Sequence, residues 1–194
     1  MSFAEGNNRF ALALYEHLRQ RPGNLCFSPF SIRTALAMPL AGARGETAAQ
    51  MGQTLCVPRA DGTLHADVAA TVQRLQECGR DSALSVSNSL WGQEGAVLQP
   101  RFLDVIARHY RGAVHLVDFR EAPDAARAAI NRWVEEGTQG KIRELIPPGV
   151  PDVLTRLLLV NAVYFKGAWA SEFMPSATGE EPFHLDTGDK VPVK

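Results

Sequence analysis

Cysteine is scarce in this chain: Cys26, Cys56 and Cys78 are the three among 194 residues. An odd count at these spacings fits neither a zinc site nor a disulfide framework, so the thiols read as small apolar side chains. A dominant charge is also missing. Twenty Lys and Arg oppose 21 Asp and Glu, for a net charge of −1. With no basic block, nothing points to nucleic acid. Long apolar runs are absent too. The longest, Leu157 to Phe165, contains Asn161 and is too short to cross a bilayer, so no membrane partner is expected. Met1 to Asn8 has no basic start, and the first apolar stretch is broken by Glu16, Arg19 and Arg21. No secretory signal is visible, which leaves a cytoplasmic protein or one shown without its leader.

Catalytic signatures are missing as well. Five histidines are present, and none pairs with a Cys or carboxylate at metal-ligand spacing. There is no Gly-x-Ser-x-Gly elbow, phosphate loop or dinucleotide fingerprint. Ser28 and Ser31 admit a hydrolase reading with Ser28 as nucleophile, but neither a neighbouring His nor an oxyanion feature supports it. Helix capping is the plainer role for these hydroxyls. No catalytic residue, metal or cofactor is expected, and the chain does not read as an enzyme.

What is present is the profile of a globular protein, with 45% apolar and 21% charged residues. Phe10, Leu14 and Leu18 give a helix stripe over roughly residues 7 to 20. Leu25 to Phe27 is a short strand candidate. Pro29 after Ser28 starts a helix that turns Ile32, Ala35, Leu36 and Met38 inward, with a kink or tightened turn expected at Pro39 and an end near Gly42. Gly45 to Leu55 and Leu64 to Leu75 are further helices, the latter with Val68, Val72 and Leu75 on one face. Leu84, Val86, Asn88 and Leu90 alternate with serines ahead of Trp91, which favours a strand. Pro100 opens a helix with Phe102, Leu103, Ile106 and Tyr110 inward. Val114, Leu116 and Phe119 mark a strand and its exit. Pro123 opens the clearest amphipathic helix, with Ala126, Ile130, Trp133 and Val134 on one face.

Thr155 to Trp169 is the longest strand candidate, and its nearly continuous apolar centre predicts a central strand. Asn161 in its middle must find hydrogen-bond partners or cost about 1–3 kcal/mol. Those partners are either fixed or exchange when the sheet changes. Trp133 and Trp169 read as aromatic anchors in ordinary packing. Lys166 and Gly167 end the strand where backbones can approach closely. Pro182 to Leu185 and Lys190 to Lys194 flank a turn at residues 186–189. Helices and strands do not alternate regularly, so the fold class is α+β.

These residues also carry a family resemblance. Asn24-Leu-Cys-Phe-Ser-Pro-Phe-Ser-Ile, with Ala35-Leu-Ala-Met and Gly42-Ala-Arg-Gly-Glu-Thr, resembles the first serpin signature. Ser87-Asn-Ser-Leu-Trp resembles the second strand of the large serpin sheet. Tyr110 with Val117-Asp-Phe resembles the following helix-to-strand passage. Ile130-Asn-Arg-Trp-Val and Thr138-Gln-Gly-Lys-Ile resemble the helix lying across that sheet. Leu159-Val-Asn-Ala-Val-Tyr-Phe-Lys-Gly-Ala-Trp resembles its third strand, and Phe183-His184 the start of a strand in the third sheet. The Gly-Glu-Thr-Ala-Ala wording is similar to prokaryotic members.

The resemblance implies a suicide inhibitor of serine or cysteine proteases. An exposed reactive loop is cleaved, and it then inserts beside the strand that resembles Thr155 to Trp169, relaxing a strained, metastable fold. It implies shutter positions at Ser28, Ser31 and Asn161, and the breach, where insertion starts, at Lys166 and Trp169. It also implies an extracellular protein. Pro39 departs from the family pattern. So does the length: residues 1–194 are expected to form a partial serpin domain, the N-terminal half, ending before the reactive loop and its reactive bond. The half-chain is expected to be non-inhibitory alone and, through an open strand edge, to self-associate. A non-inhibitory serpin acting as a chaperone or binding protein is the alternative. The stretch matching the family's polyanion-binding helix holds only Arg74 and Arg80 as fixed positive charges, so polyanion binding is not expected.

Overall fold

Serine alternating with apolar residues makes a strand with two unlike faces, and β1 (Ser82–Gln93) sits at the middle of the main sheet in the computed structural model. The structure describes residues 2–57, 62–77, 82–110, 114–185 and 187–193. β2 (Val114–Val117) runs parallel to β1 and β3 (Leu157–Gly167) antiparallel, so the sheet is mixed, in the order β2-β1-β3. A separate hairpin pairs β4 (Glu181–His184) with β5 (Lys190–Val193). Of the turn expected between them, Asp186 lies outside the described residues, as does Lys194.

The alternation along β1 sorts two cores. Leu90 and its cross-strand partner Leu159 face a cluster built from α2 (Pro29–Gly42), α4 (Thr63–Glu77) and α5 (Pro100–His109). There Ala37, Met38, Val68, Phe102 and Ile106 are buried. Trp91, Val160 and Ala162 face α6 (Pro123–Gly137), meeting Ala126, Ile130 and Val134. Ser85, Ser87 and Ser89 lie on the α6 side with Trp91 and give that helix room. A Cβ added at Gly137 would stand 2.8 Å from Ser87 Oγ.

Several expectations are corrected. The first helix, α1, spans Phe3–Leu18 and starts earlier than its apolar stripe. Ser2 accepts from Glu5 N–H while the Glu5 carboxylate accepts from Ser2 N–H, a capping box that holds the first turn. Leu25 to Phe27 forms no strand. No described strand pairs with it, and Leu25 is exposed. Leu103 is exposed rather than turned inward. Pro39, by contrast, behaves as expected: it stays inside α2, where Ala43 N–H is shared between the carbonyls of Pro39 and Leu40, a tightened last turn.

The largest correction concerns β3. Within this chain it is not central: among the described residues its one neighbour is β1, and its other side has no described strand, the open edge expected of a half-length chain. Apolarity on both faces reports cover above and below the sheet, which α2 supplies on the side of Leu159 and Asn161 and α6 on the side of Val160 and Ala162. It does not report lateral pairing. Toward the strand's ends Leu157 and Phe165 are exposed.

Candidate functional site

The site begins with a helix cap. Pro29 fixes the first turn of α2 and has no N–H of its own. The Ser28 side chain therefore accepts from the next donor it can reach, Ser31 N–H, at 3.3 Å. That commits the Ser28 hydroxyl to capping and aims Ser31 at the sheet. Ser31 is fully buried under β3.

Asn161 comes down from β3 to meet it. Its Nδ2 donates to Ser31 Oγ at 2.5 Å and to Asn88 Oδ1 at 2.6 Å. Asn88 and Asn161 stand directly opposite each other in the β1–β3 register. One side-chain amide thus ties three elements together: its own strand, the neighbouring strand and the helix below. Each such bond is worth about 1 kcal/mol net, and each partner left unmade inside the protein costs more. Asn161 was legible as a buried polar residue needing partners. Asn88 was missed as one of them, although its place in the alternating run put it on the same face as Leu90.

The structure therefore brings Ser28, Ser31 and Asn161 together, and keeps Lys166 and Trp169 apart from them. Lys166 pairs with Ala83 near the end of the sheet, five residues from Asn161, or roughly 17 Å along the strand. Trp169 lies beyond the strand, 71% exposed, its ring edge-on to Phe173 with centroids 5.5 Å apart. It is not packed into a core. Trp133 is half-buried, edge-on to Trp91 at 6.3 Å, which is ordinary packing.

Two further polar features surround the site. Arg33, next in α2, is buried, and burial pulls its pKa down. Its Nε donates to Leu55 O at 2.8 Å and its Nη2 to Cys56 O at 3.4 Å, at the C-terminal end of α3 (Gly45–Thr54). The guanidinium also lies 4.8 Å from the Phe3 ring centroid. No sequence pattern marked Arg33, since a charge on an apolar helix reads as solvated. On the other side of α2, Tyr110 OH and His65 Nδ1 are 2.8 Å apart. Burial first, and then the neighbouring His109, holds the His65 pKa below its usual value.

Among the described residues no group of three His, Cys, Asp or Glu could hold a metal ion, and no helix is long and apolar enough to cross a membrane. Cys26 and Cys56 are free thiols, and Cys78 lies outside the described residues. Arg80 also lies outside them, leaving Arg74 as the one Lys or Arg in α4.

Residues 5–194 match the family model described as "Serpin (serine protease inhibitor)". A leukocyte elastase inhibitor from Sus scrofa is 42% identical over 190 residues, covering 97% of this chain and 50% of that protein. Ovalbumin from the emu superposes with a TM-score of 0.91 at 29% identity, over all of this chain and 54% of the other. Arabidopsis AtSerpin1, solved in its native stressed conformation, gives 0.87 at 31% identity, over 99% and 51%. The chain thus spans about half the length of the curated relatives it matches.

Proposed function

The chain belongs to the serpin family, and on that premise we propose that the whole protein inhibits serine or cysteine endopeptidases by taking its own cleaved bait segment into the sheet beside β3. The free second edge of β3 is where the new strand adds, through main-chain hydrogen bonds. The uncleaved protein is then a metastable state, and strand addition is the release. The observation that carries this reading is the three-way Asn161 contact.

A strand arriving on the side of β3 away from β1 shifts the β1–β3 pair as a unit across α2. The Asn161–Asn88 bond travels with the pair, while the Asn161–Ser31 bond has to break. Ser28 keeps Ser31 oriented by capping the helix, so the contact can be remade after the shift. In this account Ser28, Ser31 and Asn161 are the shutter, joined by Asn88. Lys166 and the exposed Trp169 stand at the breach, the end where insertion starts; family resemblance supports that assignment.

A relative is named a leukocyte elastase inhibitor, so an elastase-type serine protease is the first target to try. Mixed with it, the whole protein is expected to form an equimolar complex that survives boiling in SDS. Cleavage without any such complex overturns the inhibitor reading and leaves a non-inhibitory binding role. The free β3 edge, with Leu157 and Phe165 exposed, also favours self-association of the 194-residue chain. Size-exclusion chromatography giving a compact monomer at tens of micromolar speaks against that.

A further inference from the structure

The buried charge of Arg33 is only partly answered. Its Nε and Nη2 donate to the Leu55 and Cys56 carbonyls, and the guanidinium lies over the Phe3 ring. Nη1 has no hydrogen-bond partner, although the residue is 1% exposed. Among the described residues no carboxylate forms an ion pair with it. A buried cation with an idle donor is stabilised by any anion that reaches it.

The side chain placed to become that anion is Cys56. It follows α3 in the left-handed conformation, with φ at 50°. Arg33 wedges between this turn and α1. A Cβ at Gly6 would stand 2.9 Å from Arg33 Nη2 and 2.6 Å from Cys56 O, so glycine makes the room that the guanidinium fills. Burial lowers the Arg33 pKa, and the charge interaction with the Cys56 thiol works against that, ahead of Tyr110. The thiol itself is half-buried and makes only a weak 4.0 Å contact with Thr54 O.

We infer that Cys56 is a modification site for peroxide, and that its product, a sulfinate, serves as the counter-ion of Arg33. The thiol sulfur attacks one peroxide oxygen, the O–O bond breaks and water leaves. This gives a sulfenic acid, with sulfur oxidised by two electrons and the peroxide reduced. A second peroxide carries it to the sulfinic acid in the same way, with a second water leaving, and the acid proton passes to solvent. The sulfinate oxygens then accept from Nη1, a charge-assisted hydrogen bond that the reduced protein lacks. A charge added at a half-buried position ordinarily destabilises a fold. Here it should do the opposite. Oxidation at Cys56 needs neither β3 nor a bait segment, so it stands apart from the inhibitor reading.

The test uses the 194-residue chain with Cys26→Ser and Cys78→Ser, which leaves Cys56 as its one thiol. Treated with hydrogen peroxide at neutral pH, its Cys56 peptide is expected to gain two oxygen atoms by mass spectrometry. The same treatment of a Cys56→Ser version carries the effect of methionine oxidation. Relative to that control, the oxidised chain should melt about 3–10 °C higher than the reduced one, the effect of one charge-assisted hydrogen bond in a chain of this size. Arg33→Gln should abolish the gain and leave the oxidation itself unchanged. Should Arg33→Gln fold poorly, Cys56→Asp and Cys56→Asn decide without an oxidant. Both new side chains tolerate the left-handed conformation, and only Asp carries the charge, so Cys56→Asp should melt higher than Cys56→Asn. The proposal fails if Cys56 stays reduced in millimolar peroxide, or if its oxidation leaves the melting temperature unchanged or lower. It fails equally if Cys56→Asp melts no higher than Cys56→Asn.

Discussion

Replacing Asn161 by Ala removes the donor on which two partners depend. Ser31 Oγ is fully buried and, through Ser28, held in place, so it cannot turn to water. Losing its donor costs about 1–3 kcal/mol. Asn88 is half-buried, and water can recover part of its 2.6 Å bond, so its share is about 0.5–1 kcal/mol. Asn161→Ala should therefore destabilise the chain by about 2–3 kcal/mol. Urea unfolding followed by tryptophan fluorescence reads this as a lower midpoint at unchanged slope. A double-mutant cycle with Ser31→Ala isolates the buried half. Once Ser31 has no hydroxyl, losing the amide should hurt less, with a coupling of about 1–2 kcal/mol. A change below about 0.5 kcal/mol for Asn161→Ala, the level of an ordinary surface substitution, would refute the reasoning. Strict additivity with Ser31→Ala would do so as well.

Other substitutions probe the frame around the site. Gly6→Ala should destabilise α1 packing by about 2 kcal/mol despite the better helix propensity of Ala. Its new Cβ would lie 2.6 Å from Cys56 O, a backbone atom that cannot step aside; a raised melting temperature contradicts this. Arg33→Lys should lower stability by about 2–4 kcal/mol in denaturant titration, because an ammonium cannot reach the Leu55 and Cys56 carbonyls with one planar fork. His65 is disfavoured as a cation in the folded chain. The unfolded chain takes up its proton first, so stability should fall as pH drops below the ordinary His value of 6.5. Thermal melts from pH 7.5 to 5.5 should show a slope that His65→Gln reduces. Asp118 is held below its ordinary value of 3.8, first by the Gln93 amide and then by backbone N–H groups, Glu121 before Arg120. Its contribution is present above that value and is lost as pH falls through the depressed folded one, a loss that Asp118→Asn should not show in acid titrations.

Much of the frame was legible because period and punctuation are local. Pro29, Pro100 and Pro123 each open a helix where a missing N–H does no harm, and the serine alternation before Trp91 marks β1. The Ser2–Glu5 capping box was present in the sequence but hidden by Gly6, Asn7 and Asn8, poor helix formers ahead of the apolar stripe. Asn161 was legible as a problem, since an amide amid apolar residues needs partners. Its partners were less so, because cross-strand register joins residues 73 positions apart and no local signal encodes it. The same limit explains β3. Its composition shows that both faces are covered, and only strand pairing shows which edge is free. Trp169 and Lys166 could be assigned only by resemblance, as nothing in their spacing separates an exposed aromatic from a buried one.

The most direct measurement is hydrogen exchange along Leu158–Tyr164 in the whole protein, before and after the bait segment is cleaved by a target protease. Half of these amides point away from β1. Their protection should rise once a new strand lies against them, with the rise beginning at the Lys166 end. Unchanged exchange of this segment after cleavage would mean that nothing docks beside β3, and the account would be wrong.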